Sequence, residues 1–153
     1  MTKASPTTRF FKNKLVRDKI VALFKAEGVT AQAYTIEDDN EFLDAITQKM
    51  IEELQEIFSA ESTDELIAEL ADFEDALAVF KKFLKIDQKQ IDATKAAKLA
   101  QKGSYEGRVF LEYIDVPNAN KALIEKYEKE AERYSDLGFD EFDVEDDLDE
   151  DEE

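Results

Sequence analysis

Apolar residues recur at helical spacing through most of the chain. Leu43, Ile46, Met50, Leu54 and Ile57 share one stripe at about 100° per residue, and Leu66, Leu70, Phe73, Leu77, Phe80 and Leu84 share another. Asp38-Asp-Asn-Glu41 offers a capping-box-like start to the first stripe and predicts a helix to about Phe58; Ser62-Thr-Asp-Glu65 offers a clearer one and predicts a helix to about Leu84. So short a link predicts an antiparallel helical hairpin. Upstream, Asn13 is placed to cap a short amphipathic helix with apolar Leu15, Val16, Ile20, Leu23 and Phe24, closed by Gly28, while Val29 to Ile36 reads as extended and ambiguous. Downstream, a less apolar helix is expected from Asp87 to Lys102, ended by Gly103. Arg108 to Ile114 then reads as strand-like, and Pro117-Asn-Ala-Asn120 starts a last helix over about 119–134.

With 153 residues, four Gly and two Pro, the chain suits one mainly all-α domain, over about 10–135, behind a flexible N-terminus at 1–9. The formal charge of −18 is uneven: residues 136–153 hold twelve Asp and Glu and no Lys or Arg, leaving −6 for the rest. That segment is too charged to offset its ordering entropy and is expected to be a disordered acidic C-terminal tail. The same charge argues against nucleic acid as a partner. No apolar run approaches the ~20 residues of a membrane span and no signal-like segment opens the chain, so a cytoplasmic protein without a membrane partner is expected.

Neither Cys nor His is present, which removes disulfides, thiolate nucleophiles, imidazole bases and the usual zinc ligands. The glycines build no phosphate-cradling loop. What remains are carboxylates, and the hairpin concentrates them. Glu53 falls roughly 70° and Glu56 roughly 130° from the centre of the first stripe, on one flank; Glu69 and Asp72 fall roughly 65° and 125° from the second, again on one flank. Glu52 lies almost opposite, toward water. The pairs Glu56/Glu69 and Glu53/Asp72 are both centred on position 62.5, so a turn near Glu61-Ser62 sets them at matching heights. Four carboxylates there repel one another unless a cation sits between them, and an oxygen-only set suits Mg²⁺ or Mn²⁺. The bland alternative is a solvated acidic face, since charge-rich helices scatter Glu widely.

The pattern Glu52-Glu53-x-x-Glu56, then twelve residues, then Glu69-x-x-Asp72 resembles the E-E-x-x-E … E-x-x-D signature of the all-α nucleoside triphosphate pyrophosphohydrolases of the MazG superfamily. Asn13-Lys-Leu-Val-Arg-Asp-Lys-Ile20 and Lys102-Gly-Ser-Tyr-Glu-Gly-Arg-Val-Phe-Leu-Glu112 are similar to the opening and closing motifs of its phosphoribosyl-ATP-pyrophosphohydrolase-like branch, with Ser104 where Gly and Tyr105 where Phe is expected. The likeness covers about residues 10–114. It implies a MazG-like helical bundle, Mg²⁺ held by Glu53, Glu56, Glu69 and Asp72, and hydrolysis of a nucleoside triphosphate between its α and β phosphates, as in nucleotide-pool house-cleaning.

On that resemblance, Glu52 and Asp75 are the candidate proton acceptors, and Lys14, Arg17, Lys19, Lys102 and Arg108 the candidate phosphate contacts. Tyr34, Tyr105 and Phe11 are candidates for stacking on a base. The hairpin buries one stripe and its helices need further partners, which a second copy would supply as a four-helix core; the resemblance implies a dimer or tetramer, and a homodimer is expected. Two rivals stand beside this reading: a non-catalytic helical protein whose acidic tail binds a basic partner, and a hydrolase of another pyrophosphate compound, such as a phosphoribosyl nucleotide.

Overall fold

A computed structural model describes residues 7–136, which are mainly helical: α1 (Ile20–Ala26), α2 (Asp39–Ser59), α3 (Thr63–Phe83), α4 (Gln88–Lys102) and α5 (Lys121–Asp136). The chain divides into two compact units, Met1–Gly103 and Ser104–Glu153. Residues 7–9 of the expected flexible N-terminus have no regular structure; the rest of it, and the acidic tail after Asp136, lie outside the described residues. Among the described residues no helix is long and apolar enough to cross a membrane.

In the first unit the cap residues set the helix starts. The Asp38 carboxylate accepts from the amides of Asn40 (3.0 Å) and Glu41 (2.9 Å), satisfying two of the donors that open α2. Ser62 Oγ accepts from Glu65 N at 3.2 Å, and Glu65 reaches back to accept from Glu61 N at 2.9 Å, so the three-residue link is pinned to the start of α3. Asp87 and Gln90 close a reciprocal capping box on α4. Gly28, at φ 79, ends α1 by letting Val29 N turn back to Phe24 O at 2.8 Å.

Among the described residues α2 and α3 are the one pair of helices packed together. Their ends are joined by Phe42 and Phe83, whose rings meet edge-on with centroids 5.0 Å apart, confirming an antiparallel hairpin. Phe42 and Phe83 are also centred on 62.5, the register expected from the acidic pairs. Ile46 and Ala76 are the buried apolar residues of this interface.

The faces that meet are not the ones the apolar stripes point to. Glu53 is 1% exposed, whereas Leu54 and Leu70, both on the stripes, are each 43% exposed. Relative to the stripe centres, both helices are turned by roughly 50–60° toward their acidic flanks. The apolar stripe is left partly open along Leu54, Leu66, Leu70 and Leu84.

Two expected elements are corrected. The first helix is shorter than expected and is not capped by Asn13: Asn13 sits at φ 44, residues up to Arg17 are irregular, and helix begins only at Ile20, while its expected close at Gly28 stands. Lys14 and Arg17, which the expected helix would have contained, instead reach distant carboxylates, described below. The strand-like segment 108–114 forms no strand. Arg108, at φ 53 after a 3₁₀ turn at Tyr105–Gly107, breaks the run at its start, and an extended segment without a neighbour has no ladder to satisfy its backbone groups.

In the second unit Asn120 starts α5 with its side chain accepting from Leu123 N at 3.3 Å. Leu123, Ile124, Tyr127 and Ala131 make its half-buried stripe.

Candidate metal centre

The turn of the two helices toward their acidic flanks gathers carboxylates at the middle of the α2–α3 hairpin. Glu53, Glu69 and Asp72 each offer an oxygen, and the three lie within 4.8 Å of one another; Glu52, Glu53 and Glu56 form a second such group. Glu53 belongs to both. The first group spans the two helices, while the second lies along α2 alone, so the register that the link imposes determines only the first.

Glu53 is the most tightly enclosed of them. Its Oε1 lies 2.5 Å from Lys49 Nζ, while its Oε2 is buried without a hydrogen-bond partner. A buried carboxylate oxygen without a donor is costly, and such an atom in a native site calls for an occupant or a role. The donor set around it is entirely oxygen, with the mixture of carboxylates that hard divalent cations use, so the residues present fit Mg²⁺ or Mn²⁺.

Three cations hold the cluster together. Lys49 bridges Glu53 and Glu52, the latter at 2.9 Å; Lys14 Nζ reaches Glu52 at 2.5 Å; Arg17 pairs with Asp72 and, at 3.0 Å, with Asp75. Burial alone would lower the Lys49 pKa, but its bonds to Glu53 and Glu52 outweigh that and raise it. Partial burial likewise works against the Glu52 carboxylate, yet Lys14 and Lys49 hold its pKa below the usual range. The bond to Asp72, then that to Asp75, raises the Arg17 pKa further.

The position of Glu52 corrects the expectation that it faces water: it is half-buried and shared by two ammonium groups, because the turned helix brings its flank round toward the N-terminal segment. Lys49 went unread in the sequence, although its spacing of three and four residues before Glu52 and Glu53 is that of a helical ion pair. Of the other candidates, Lys19 stands exposed at the start of α1 and Lys102 exposed at the end of α4. Tyr34 is exposed and its hydroxyl donates to Glu41 at 2.7 Å, which raises its pKa. Phe11 is exposed in the irregular N-terminal segment. Tyr105 and Arg108 belong to the second unit, where Tyr105 is fully exposed.

Compared with family models, with curated proteins and with solved structures, the chain gives no match in any of the three. The chemistry of the site therefore rests on its own residues.

Proposed function

We propose that the chain is a Mg²⁺-dependent nucleoside triphosphate pyrophosphohydrolase that splits the bond between the α and β phosphates, giving a monophosphate and pyrophosphate, in the service of nucleotide-pool house-cleaning. The observation that carries this reading is the buried, unpartnered oxygen of Glu53 at the vertex shared by two carboxylate groups. The order of the three sequence motifs supports the substrate class.

Glu53, Glu56, Glu69 and Asp72 would hold the ion, which when bound neutralises phosphate oxygens and lowers the pKa of a coordinated water. Lys49 keeps the Glu53 carboxylate oriented through Oε1, leaving Oε2 free to ligate. Arg17 and Lys14, next to the carboxylates, are close enough to the site to meet a polyphosphate, with the guanidinium suited to a two-point grip. The two candidate proton acceptors are each held by cations, Glu52 by Lys14 and Lys49 and Asp75 by Arg17. A second copy of the chain is the natural cover for Leu54, Leu66, Leu70 and Leu84, making a homodimer with a four-helix core.

The test is to incubate the protein with a panel of canonical and modified nucleoside triphosphates, with and without Mg²⁺, and to measure pyrophosphate and monophosphate. Metal-dependent release of both is expected. Losing even an outer partner of a metal ligand costs ~10–100-fold, so Glu53→Ala and Asp72→Ala should each lose at least about 100-fold. No release from any nucleotide, with no Mg²⁺-induced rise in Tm, would sink the proposal. Release of pyrophosphate only from a phosphoribosyl nucleotide would move the substrate class and keep the site.

A further inference from the structure

The irregular segment before α1 sends one cation into each of the two carboxylate groups. Lys14 takes Glu52, from the group along α2; Arg17 takes Asp72, from the group that spans α2 and α3, and extends to Asp75 outside both. Glu53, the residue both groups share, receives neither. The local backbone explains the reach. Two residues three apart are separated by only about 4.5 Å along a helix axis, but by about 10 Å in extended chain. Giving up the helical turns that Leu15 and Val16 would otherwise add ahead of α1, with Asn13 turned to positive φ, is what allows two separate targets to be met.

The pairing is also incomplete. The five carboxylates of the two groups, with Asp75, face three cations, so three negative charges remain uncompensated. Lys14 and Arg17 are themselves substantially exposed, at 41% and 56% of their side chains, and ion pairs so open to water are weak and easily exchanged. Lys49 differs. It is fixed on α2 beside its partners and three-quarters enclosed.

We infer that residues 13–19 form a two-pronged counter-ion strap that exchanges with a divalent cation. This rests on the reading of the cluster as a metal site. In the ion-free protein Lys14 and Arg17 hold Glu52 and Asp72; when the ion takes Asp72 and sets its own positive charge beside Glu52, both side chains are released together, while Lys49 stays. The released pair is then free for an anion. Binding is therefore ordered, with the cation first and the polyphosphate second, and the segment that holds the site closed becomes part of the surface that receives the substrate.

The absence of native cysteine makes the test direct, because Lys12→Cys carries a nitroxide at a unique and exposed position beside the strap. Label mobility is followed by electron paramagnetic resonance while Mg²⁺ is added, and Mg²⁺ affinity is measured by calorimetry on the unlabelled chain, on Arg17→Gln and Lys14→Gln, and on Lys25→Gln as a control from α1. The expected result is a rise in mobility that tracks Mg²⁺ occupancy, a several-fold tighter Mg²⁺ affinity in Arg17→Gln and Lys14→Gln, and an unchanged affinity in Lys25→Gln. Inorganic triphosphate should bind measurably only once Mg²⁺ is present. Binding of Mg²⁺ with the label unaffected and neither variant tighter would overturn the strap and leave the metal site standing. An unlabelled chain that binds no Mg²⁺ at all would remove both.

Discussion

The two sides of the α2–α3 hairpin exchange their usual roles. Glu53 is 1% exposed and Leu54, its neighbour in the chain, is 43% exposed. On the inward side Glu53 is kept by Lys49, and its neighbours Glu52 and Asp72 by Lys14 and Arg17; on the outward side Leu54, Leu66, Leu70 and Leu84 stand half-open to water. Burying a charge is tolerated only with a partner, and exposing a leucine row is tolerated only if something else covers it. A hairpin arranged this way is incomplete on both sides: the inner face is short of positive charge and the outer face short of apolar contact.

Removing the inner counter-ion is the strongest challenge to this contrast. Lys49→Met leaves Glu53 buried with neither oxygen partnered; such losses cost ~3–5 kcal/mol in fully buried pairs, and with Lys49 22% exposed about 2 kcal/mol is expected. Thermal melts should show it, and Mg²⁺ should raise the Tm of Lys49→Met by more than that of the unaltered chain. Equal stability of the two would mean that the acid does not depend on the lysine.

The outer face is tested by Leu54→Asp together with Leu70→Asp. Each leucine buried in a dimer would contribute ~1.5–3 kcal/mol, so self-association should weaken by at least about tenfold while helix content is kept. Sedimentation over a range of concentrations reads the effect; an unaltered chain that stays monomeric throughout would break the comparison on this side. At the small core between the faces, Ile46→Val should cost about 1 kcal/mol by denaturant titration. The smallest effect belongs to the link: Ser62→Ala removes the acceptor for Glu65 N and should cost about 0.5–1 kcal/mol.

The parts of this molecule that could be read from the chain are those with local causes. Asp38, Ser62 and Asp87 act within three residues of themselves, so α2, α3 and α4 begin where their cap signals stand. The register at 62.5 was legible because a three-residue link leaves the helices little choice. The late start of α1 was not, because Lys14 and Arg17, ahead of it, meet Glu52 and Asp72, 38 and 55 residues away. The rotation of the hairpin escaped for a related reason. Centring a helix on its apolar stripe assumes that leucines face the partner helix, and here the cations make the acidic flank an acceptable inner face. Lys49 is legible from spacing alone, since it stands three and four residues before Glu52 and Glu53.

The link Ala60–Ser62 also separates the fate of the fold from the fate of the site. Lengthening a connection adds little loop entropy, about 0.6 kcal/mol per doubling, and the Ser62–Glu65 cap would travel with α3 wherever it went. The hairpin would therefore survive an inserted residue. The opposition of Glu53 to Glu69 and Asp72 would not, since one residue of slippage amounts to about 1.5 Å against a tolerance of about 0.5 Å for a working constellation. An insertion in these three residues, none of which is a ligand, would leave a well-folded protein with its carboxylates out of step.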